Sequence, residues 1–219
     1  MVRAFHIACL LALLAAFVYS QASEEPATVT FTLDFPGSQP EHYSVQVESG
    51  GKGRYESSGK VAPDSEESDT FSCPFTVSSA TSQRIFALAA KANYFRKDLD
   101  SRHKNLAFTG KKTLAYKDAQ RSGESSYNYS PDPAVEEMTS LFQGLSATLE
   151  YGHRLDYDHR YQKLALDEEL KRLEEETRAG SVVELPAIEA ILRQIVDDAS
   201  VINVTRARAQ RILEQAGVR

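Results

Sequence analysis

From Thr28 onward apolar and polar positions alternate with a period of two: Val29, Phe31, Leu33 and Phe35 share one face, and Thr30, Thr32 and Asp34 the other. This predicts a strand with one buried face, closed by the turn residues Pro36 and Gly37. Tyr43, Val45 and Val47 repeat the pattern. Gly50-Gly51-Lys52-Gly53 reads as a hairpin turn into a strand over residues 54–58, and the acidic, serine-rich stretch 62–69 as a solvated loop. Phe71, Cys73, Phe75 and Val77 then share a face, and Pro74, which has no N–H to give to a ladder, predicts a strand at a sheet edge.

The period next changes to that of a helix. Ile85, Leu88, Ala89, Ala92 and Phe95 fall on one stripe, with Ser79, Thr81 or Ser82 as the N-cap. Strands return with Leu106 and Phe108, Leu114 and Tyr116 beyond Gly110-Lys111-Lys112, and Tyr127 and Tyr129, which predict a three-strand meander. Strands around one intervening helix imply an α+β fold, an antiparallel sheet covered on one face.

Asp132-Pro133 opens the next helix, and Val135, Met138, Leu141, Phe142, Leu145 and Leu149 give it an apolar face. No proline follows before Thr177, so the pattern predicts one helix of about 45 residues and about 68 Å, which must project, with Gly144 and Gly152 as the places for a bend. Beyond Ala179-Gly180-Ser181, two stripes form an αα-hairpin: Ile188, Ile191, Leu192, Ile195 and Val196 behind Pro186, and Ile202, Thr205, Ala209, Ile212, Leu213 and Ala216, joined through residues 197–200. Two helices cannot hide both stripes, and Leu166, Leu170 and Leu173 are the nearest cover.

The N-terminus changes where this fold is expected to reside. Arg3, the apolar run from Ile7 to Val18 and the small residues Ser20 and Ala22 read as a secretory signal cleaved after Ala22, the run spanning about 18 Å against a hydrocarbon core of about 30 Å. Cleavage leaves Cys73 as the one cysteine, without an internal disulfide, and 24 bases against 31 acids, a formal charge of −7. An acidic exported chain does not suit nucleic acid, and no other stretch reaches spanning length, so neither a nucleic-acid partner nor stable membrane insertion is expected.

The densest candidate chemistry is "YGHRLDYDHRYQK", residues 151–163. On a helix His153 and His159 stand about 120° apart, not at the i, i+4 spacing that brings two imidazoles to one ion. Asp156 with Arg160, and Asp158 with Arg154, read instead as a surface lattice of ion pairs, with Tyr151, Tyr157 and Tyr161 covering apolar surface. Asp156 with His159 is the one pairing that would suit a weak metal site. Cys73 reads as a small buried hydrophobe with no local link to His42 or His103, and the sequence holds no nucleophile elbow, P-loop, Rossmann or zinc-protease motif. Arg206, Arg208 and Arg211 do not form one stripe and read as a solvated face near a helix C-terminus. Asn128 and Asn203 match the glycosylation sequon. No catalytic, cofactor-binding or metal-ligating residue is assigned, and no cofactor is implied.

The order "HYSVQVES", "GRYESSG", a helix ending "KANYF", "GKKTLAYKD" and a proline-led helix resembles a group of uncharacterised bacterial exported proteins with a small α+β domain of unknown function. "LALDEELKRLEEE", "ELPAIEAILRQI" and "DASVINVTRARAQRIL" are similar to helical tails of secreted proteins from acidobacteria-like soil bacteria, and to a single HEAT-type repeat. The resemblance implies localisation and architecture and carries no catalytic residue. The expectations are therefore a signal over 1–22, an α+β domain over 23–150, a projecting helix over 151–178 and a helical hairpin over 179–219. The expected role is that of a non-enzymatic periplasmic or secreted module that contacts a protein partner or a second copy. The alternatives are inhibition of an extracellular hydrolase through the edge near Pro74 or the loop 62–69, and weak metal binding.

Overall fold

The computed structural model describes residues 25–60 and 68–217, so the expected signal and nearly all of the acidic loop lie outside the described residues. Six antiparallel strands form one sheet: β1 (Thr28–Asp34), β2 (His42–Glu48), β3 (Lys52–Lys60), β4 (Ser68–Thr76), β5 (Lys111–Lys117) and β6 (Ser122–Tyr127). Their order is β4-β3-β2-β1-β5-β6, which places β4, the strand of Pro74, at an edge. The alternation works as expected: Val29, Phe31, Val45, Val47, Tyr55 and Leu114 are fully buried on one face. On the other, the row Ser72–Glu56–Ser44–Thr32–Thr113–Ser126 runs in register across all six strands. The fold is thus α+β, its sheet packed on one side and polar on the other.

Gly51, with φ +85°, makes the β2–β3 turn, and its N–H donates to Glu48 O at 2.8 Å. Gly53 belongs to β3 rather than to that turn, paired with Val47 on β2 and Phe75 on β4, where a Cβ would collide with the Phe75 ring.

Helix α1 (Ser79–Lys91) starts one residue before the expected caps: Ser78 Oγ accepts from Thr81 N at 3.2 Å. The Glu184 carboxylate joins this cap from far along the chain, accepting from Ser78 N at 2.9 Å, from Ser78 Oγ at 2.7 Å and from the Thr81 hydroxyl. Past α1 the chain turns through three consecutive left-handed residues, Asn93, Tyr94 and Phe95, with φ of 53°, 54° and 59°. Such a run costs roughly 1–2 kcal/mol per residue, and it delivers Phe95 into the core with no exposed surface. The chain from Arg96 to Gly110 forms no strand. Leu106 and Phe108, expected in the meander, are exposed, Phe108 lying edge-on to Phe35 at 5.9 Å, so the meander reduces to the β5–β6 hairpin. Flanking residues 101–105 are all polar or charged and give this segment no apolar face to bury.

Helix α2 (Pro133–Tyr161) begins as expected, Asp132 Oδ1 accepting from Ala134 N at 2.9 Å. It does not continue to Thr177. The chain reverses over 162–165 and returns along α2 as α3 (Leu166–Ala179), so no 45-residue helix projects. No proline or glycine forces this break. Reversal takes Leu166, Leu170 and Leu173 to zero exposure, worth about 1.5–3 kcal/mol each, where a projecting helix would leave that stripe in water. Gly144 and Gly152 sit inside α2 as contact points rather than bends: a Cβ on Gly152 would stand 2.5 Å from Ile188 Cγ2.

The hairpin α4 (Glu189–Asp197) and α5 (Asn203–Gln215) then folds onto α3 and the far half of α2. Leu192, Ile195, Ala209 and Ile212 are fully buried, covered as expected by the Leu166 stripe. One apolar cluster joins the sheet, α1 and α2 as far as Leu149; the second runs from Tyr151 and Leu155 through α3, α4 and α5. Both are built on the same helix.

Candidate functional site

The stretch 151–163 divides between these clusters. His153 lies flat on the Phe71 ring of β4, centroids 4.0 Å apart, with Nδ1 4.0 Å from Glu150 Oε2. His159 points the other way, Nε2 2.9 Å from Asp198 Oδ2 in the α4–α5 connection. Lys163 Nζ donates to the same carboxylate at 2.6 Å and also reaches Ser200 Oγ, so the two helix connections are tied together. Asp156 pairs with Arg160 at 2.9 Å, as the helical spacing predicts. Arg154 does not pair with Asp158; it crosses to Glu169 on α3 and lies over the Tyr151 ring at 4.5 Å. The Asp158 carboxyl is raised above the usual range by burial and by Glu169. Among the described residues no three His, Cys, Asp or Glu side chains converge to hold a metal ion.

Glu150, one residue before that stretch, is the organised acid. Its Oε1 accepts from Tyr55 Oη and Ser57 Oγ, each at 2.7 Å. Tyr55 spends its proton there, so Ser146 Oγ, 3.0 Å away, donates to the phenol. Burial pushes the carboxyl up, but the neighbouring His153 and the bonds from Ser57 and Tyr55 outweigh it and hold the group below its ordinary value. His153 is raised by the Glu150 carboxylate beside it, against the opposing effect of burial. The order is hydroxyl, carboxylate, imidazole. Serine activation needs the imidazole between the other two, so this node holds β3 and β4 to α2 rather than making a nucleophile. Cys73 is half-buried, and burial with Glu150 nearby pushes its thiol up to about 11, which keeps it protonated. His42 pairs with Asp34 at 2.6 Å on the polar face of the sheet, and the exposed His103 sits in the 96–110 segment, which forms no strand.

The three arginines of α5 are not a solvated face. Arg208 spans Asp167 at 3.2 Å and Glu174 at 2.9 Å, Arg211 reaches Glu174 at 3.1 Å, and Arg206 Nε donates to Val196 O at 2.7 Å. They are consumed in fastening α5 to α3 and α4. Spacing within one helix says nothing of a reversed neighbour, so it does not pair Arg208 and Arg211 with Asp167 and Glu174.

A polar cleft of about 460 Å³ opens between α2 and the β5–β6 end of the sheet, within the usual range for small-molecule sites. On its floor Lys112, 6% exposed, donates to Thr109 Oγ1 and Asn128 O at 2.9 Å and to Thr109 O at 3.2 Å. Burial lowers the lysine, and all three ammonium protons are taken by these oxygens. Tyr127 Oη lies 2.6 Å from Thr139 Oγ1, which itself donates to Val135 O. Glu136, Ser140 and Gln143 of α2 line the cleft together with the half-exposed Tyr129, whose hydroxyl is raised by the Glu136 carboxylate. Sequence reasoning missed this cleft, since Lys112 read only as a turn residue. Among the described residues no helix is long and apolar enough to cross a membrane. No protein-family model matches the chain, and no curated protein matches it in sequence.

Proposed function

We propose that the protein is a non-enzymatic module of the cell envelope, exported to the periplasm or beyond, that acts by contacting another protein. The observation that supports this reading lies at the end of the helical unit where the 162–165 and 198–202 connections meet. Leu164 is 90% exposed and Tyr161 71%, and Tyr157, Ile202 and Val204 are also exposed, with the Tyr157 and Tyr161 rings 5.1 Å apart. Tyrosine-rich apolar surface beside residues otherwise fully packed is the composition of a contact patch. The lattice of His159, Lys163 and Asp198 holds this patch in shape, which lowers the entropy lost on binding.

Cross-linking of the purified full chain in envelope extract tests the reading. A discrete protein adduct or a self-adduct is expected, lost on Leu164→Asp with Tyr161→Ser. Adduct patterns identical for the parent and the double variant would remove this patch from consideration. The β4 edge supports a second reading, inhibition of an extracellular hydrolase: Phe71 and Cys73 are only half-buried there, and an added strand would cover both. Secreted hydrolases assayed with excess protein decide it, undiminished activity counting against.

A further inference from the structure

We propose that the cleft between α2 and the β5–β6 end of the sheet binds a neutral saccharide, with a C–H face of the sugar on the Tyr129 ring and its hydroxyls on Glu136, Ser140 and Gln143. The lining determines the ligand class. The cleft holds one cation and one anion, so it offers no net charge for a charged ligand to match. The cation cannot serve a phosphate or carboxylate, because the protons of Lys112 already go to Thr109 and Asn128. The same bonds keep its amine from acting as a nucleophile. An apolar ligand would strand the hydroxyls and carboxamide that form the walls, at the cost of unmade hydrogen bonds.

What these walls suit is a ligand carrying many hydroxyls and one apolar face. Glu136, Ser140 and Gln143 fall at i, i+4 and i+7 on one face of α2, a run of about 10 Å along the axis, roughly the length of two linked sugar rings. A carboxylate accepts, a carboxamide accepts and donates, and a hydroxyl does either, which is the repertoire that distinguishes sugar hydroxyls. The Gln143 carboxamide makes no hydrogen bond to any other described residue, and Ser140 Oγ donates only to Glu136 O at 3.1 Å, so the acceptors of both are available. Tyr129, 44% exposed, lines the same cleft. The electron-rich face of such a ring attracts the weakly positive C–H groups on one side of a pyranose.

Titration of the purified full chain with chitotriose, cellotriose and maltotriose, followed residue by residue by NMR, is the test. Saturable shifts at Tyr129, Ser140 and Gln143 are expected with at least one trisaccharide. Tyr129→Ala and Gln143→Ala should each weaken that binding about tenfold or more, Tyr129→Phe much less, and Gln210→Ala, on the exposed face of α5 outside the cleft, not at all. All three positions of substitution are at the surface, and the parent thermal transition checks that each variant is folded. The absence of saturable shifts with all three sugars up to about 20 mM overturns the proposal, and so does binding that Tyr129→Ala and Gln143→Ala leave unchanged.

Discussion

The imidazole of His153 and the ring of Phe71 lie in parallel planes, 3° apart in tilt and 4.0 Å apart at their centroids, joining the middle of a helix to the free edge of a sheet. Glu150 stands beside the imidazole, 4.0 Å from its Nδ1, and Asp69 and Arg154 add smaller opposing influences. The protonated ring is favoured by the carboxylate and by the aromatic face together.

A pH dependence follows from the directions of these two shifts. His153 is raised in the folded chain, so its contribution to stability is complete below the unfolded value of 6.5 and is lost as pH rises through the higher folded value. Glu150 is lowered, so its contribution is present above the unfolded value of 4.5 and disappears as pH falls through the folded one. The latch on β4 is therefore strongest in mildly acidic solution. Thermal unfolding of the parent and His153→Gln at a series of pH values should show the parent's advantage shrinking on the alkaline side; a constant difference would contradict this origin.

Gly152→Ala should destabilise the chain although alanine is the better helix former by about 1 kcal/mol. The added carbon meets Ile188 Cγ2 at 2.5 Å, and overpacking of this kind costs about 1–3 kcal/mol. Pairing it with Ile188→Ala should recover part of the loss in a double-mutant cycle by urea unfolding.

Glu174 gathers Arg178, Arg208 and Arg211 around one carboxylate. Replacing it with glutamine should lower stability by about 1–2 kcal/mol, with the difference narrowing as salt is added. Denaturant midpoints at low and high ionic strength measure both effects.

Cys73 should react slowly with thiol reagents in the native protein near neutral pH. With a thiol pushed up to about 11, the rate should still be climbing above pH 9, where a free cysteine has levelled off. A plateau near pH 8.5 would mean that the thiolate is not held back by its surroundings.

Much of the fold is legible in the sequence because it depends on local periodicity. The period-two runs around Phe31 and Val45, the capping Asp132 and the two stripes of the terminal hairpin all answer to spacing alone. The reversal at 162–165 is not legible, since no residue there breaks a helix; it is imposed by what Leu166, Leu170 and Leu173 can reach. Leu106 and Phe108 mislead in the opposite sense, two apolar residues whose polar neighbours give them no sheet to join. The site chemistry is hidden for a related reason. Glu150 meets Tyr55 and Ser57 more than ninety positions away, and Arg208 meets Glu174 thirty-four positions away, separations on which spacing arguments are silent.

Helix α2 belongs to both apolar clusters at once, with Leu149 in one and Tyr151 in the other. Severing the chain at that boundary would strip each piece of half its wall, so neither has a finished interior by itself. The molecule should accordingly melt in a single calorimetric event, and its two halves should share one fate under proteolysis instead of surviving as separable fragments.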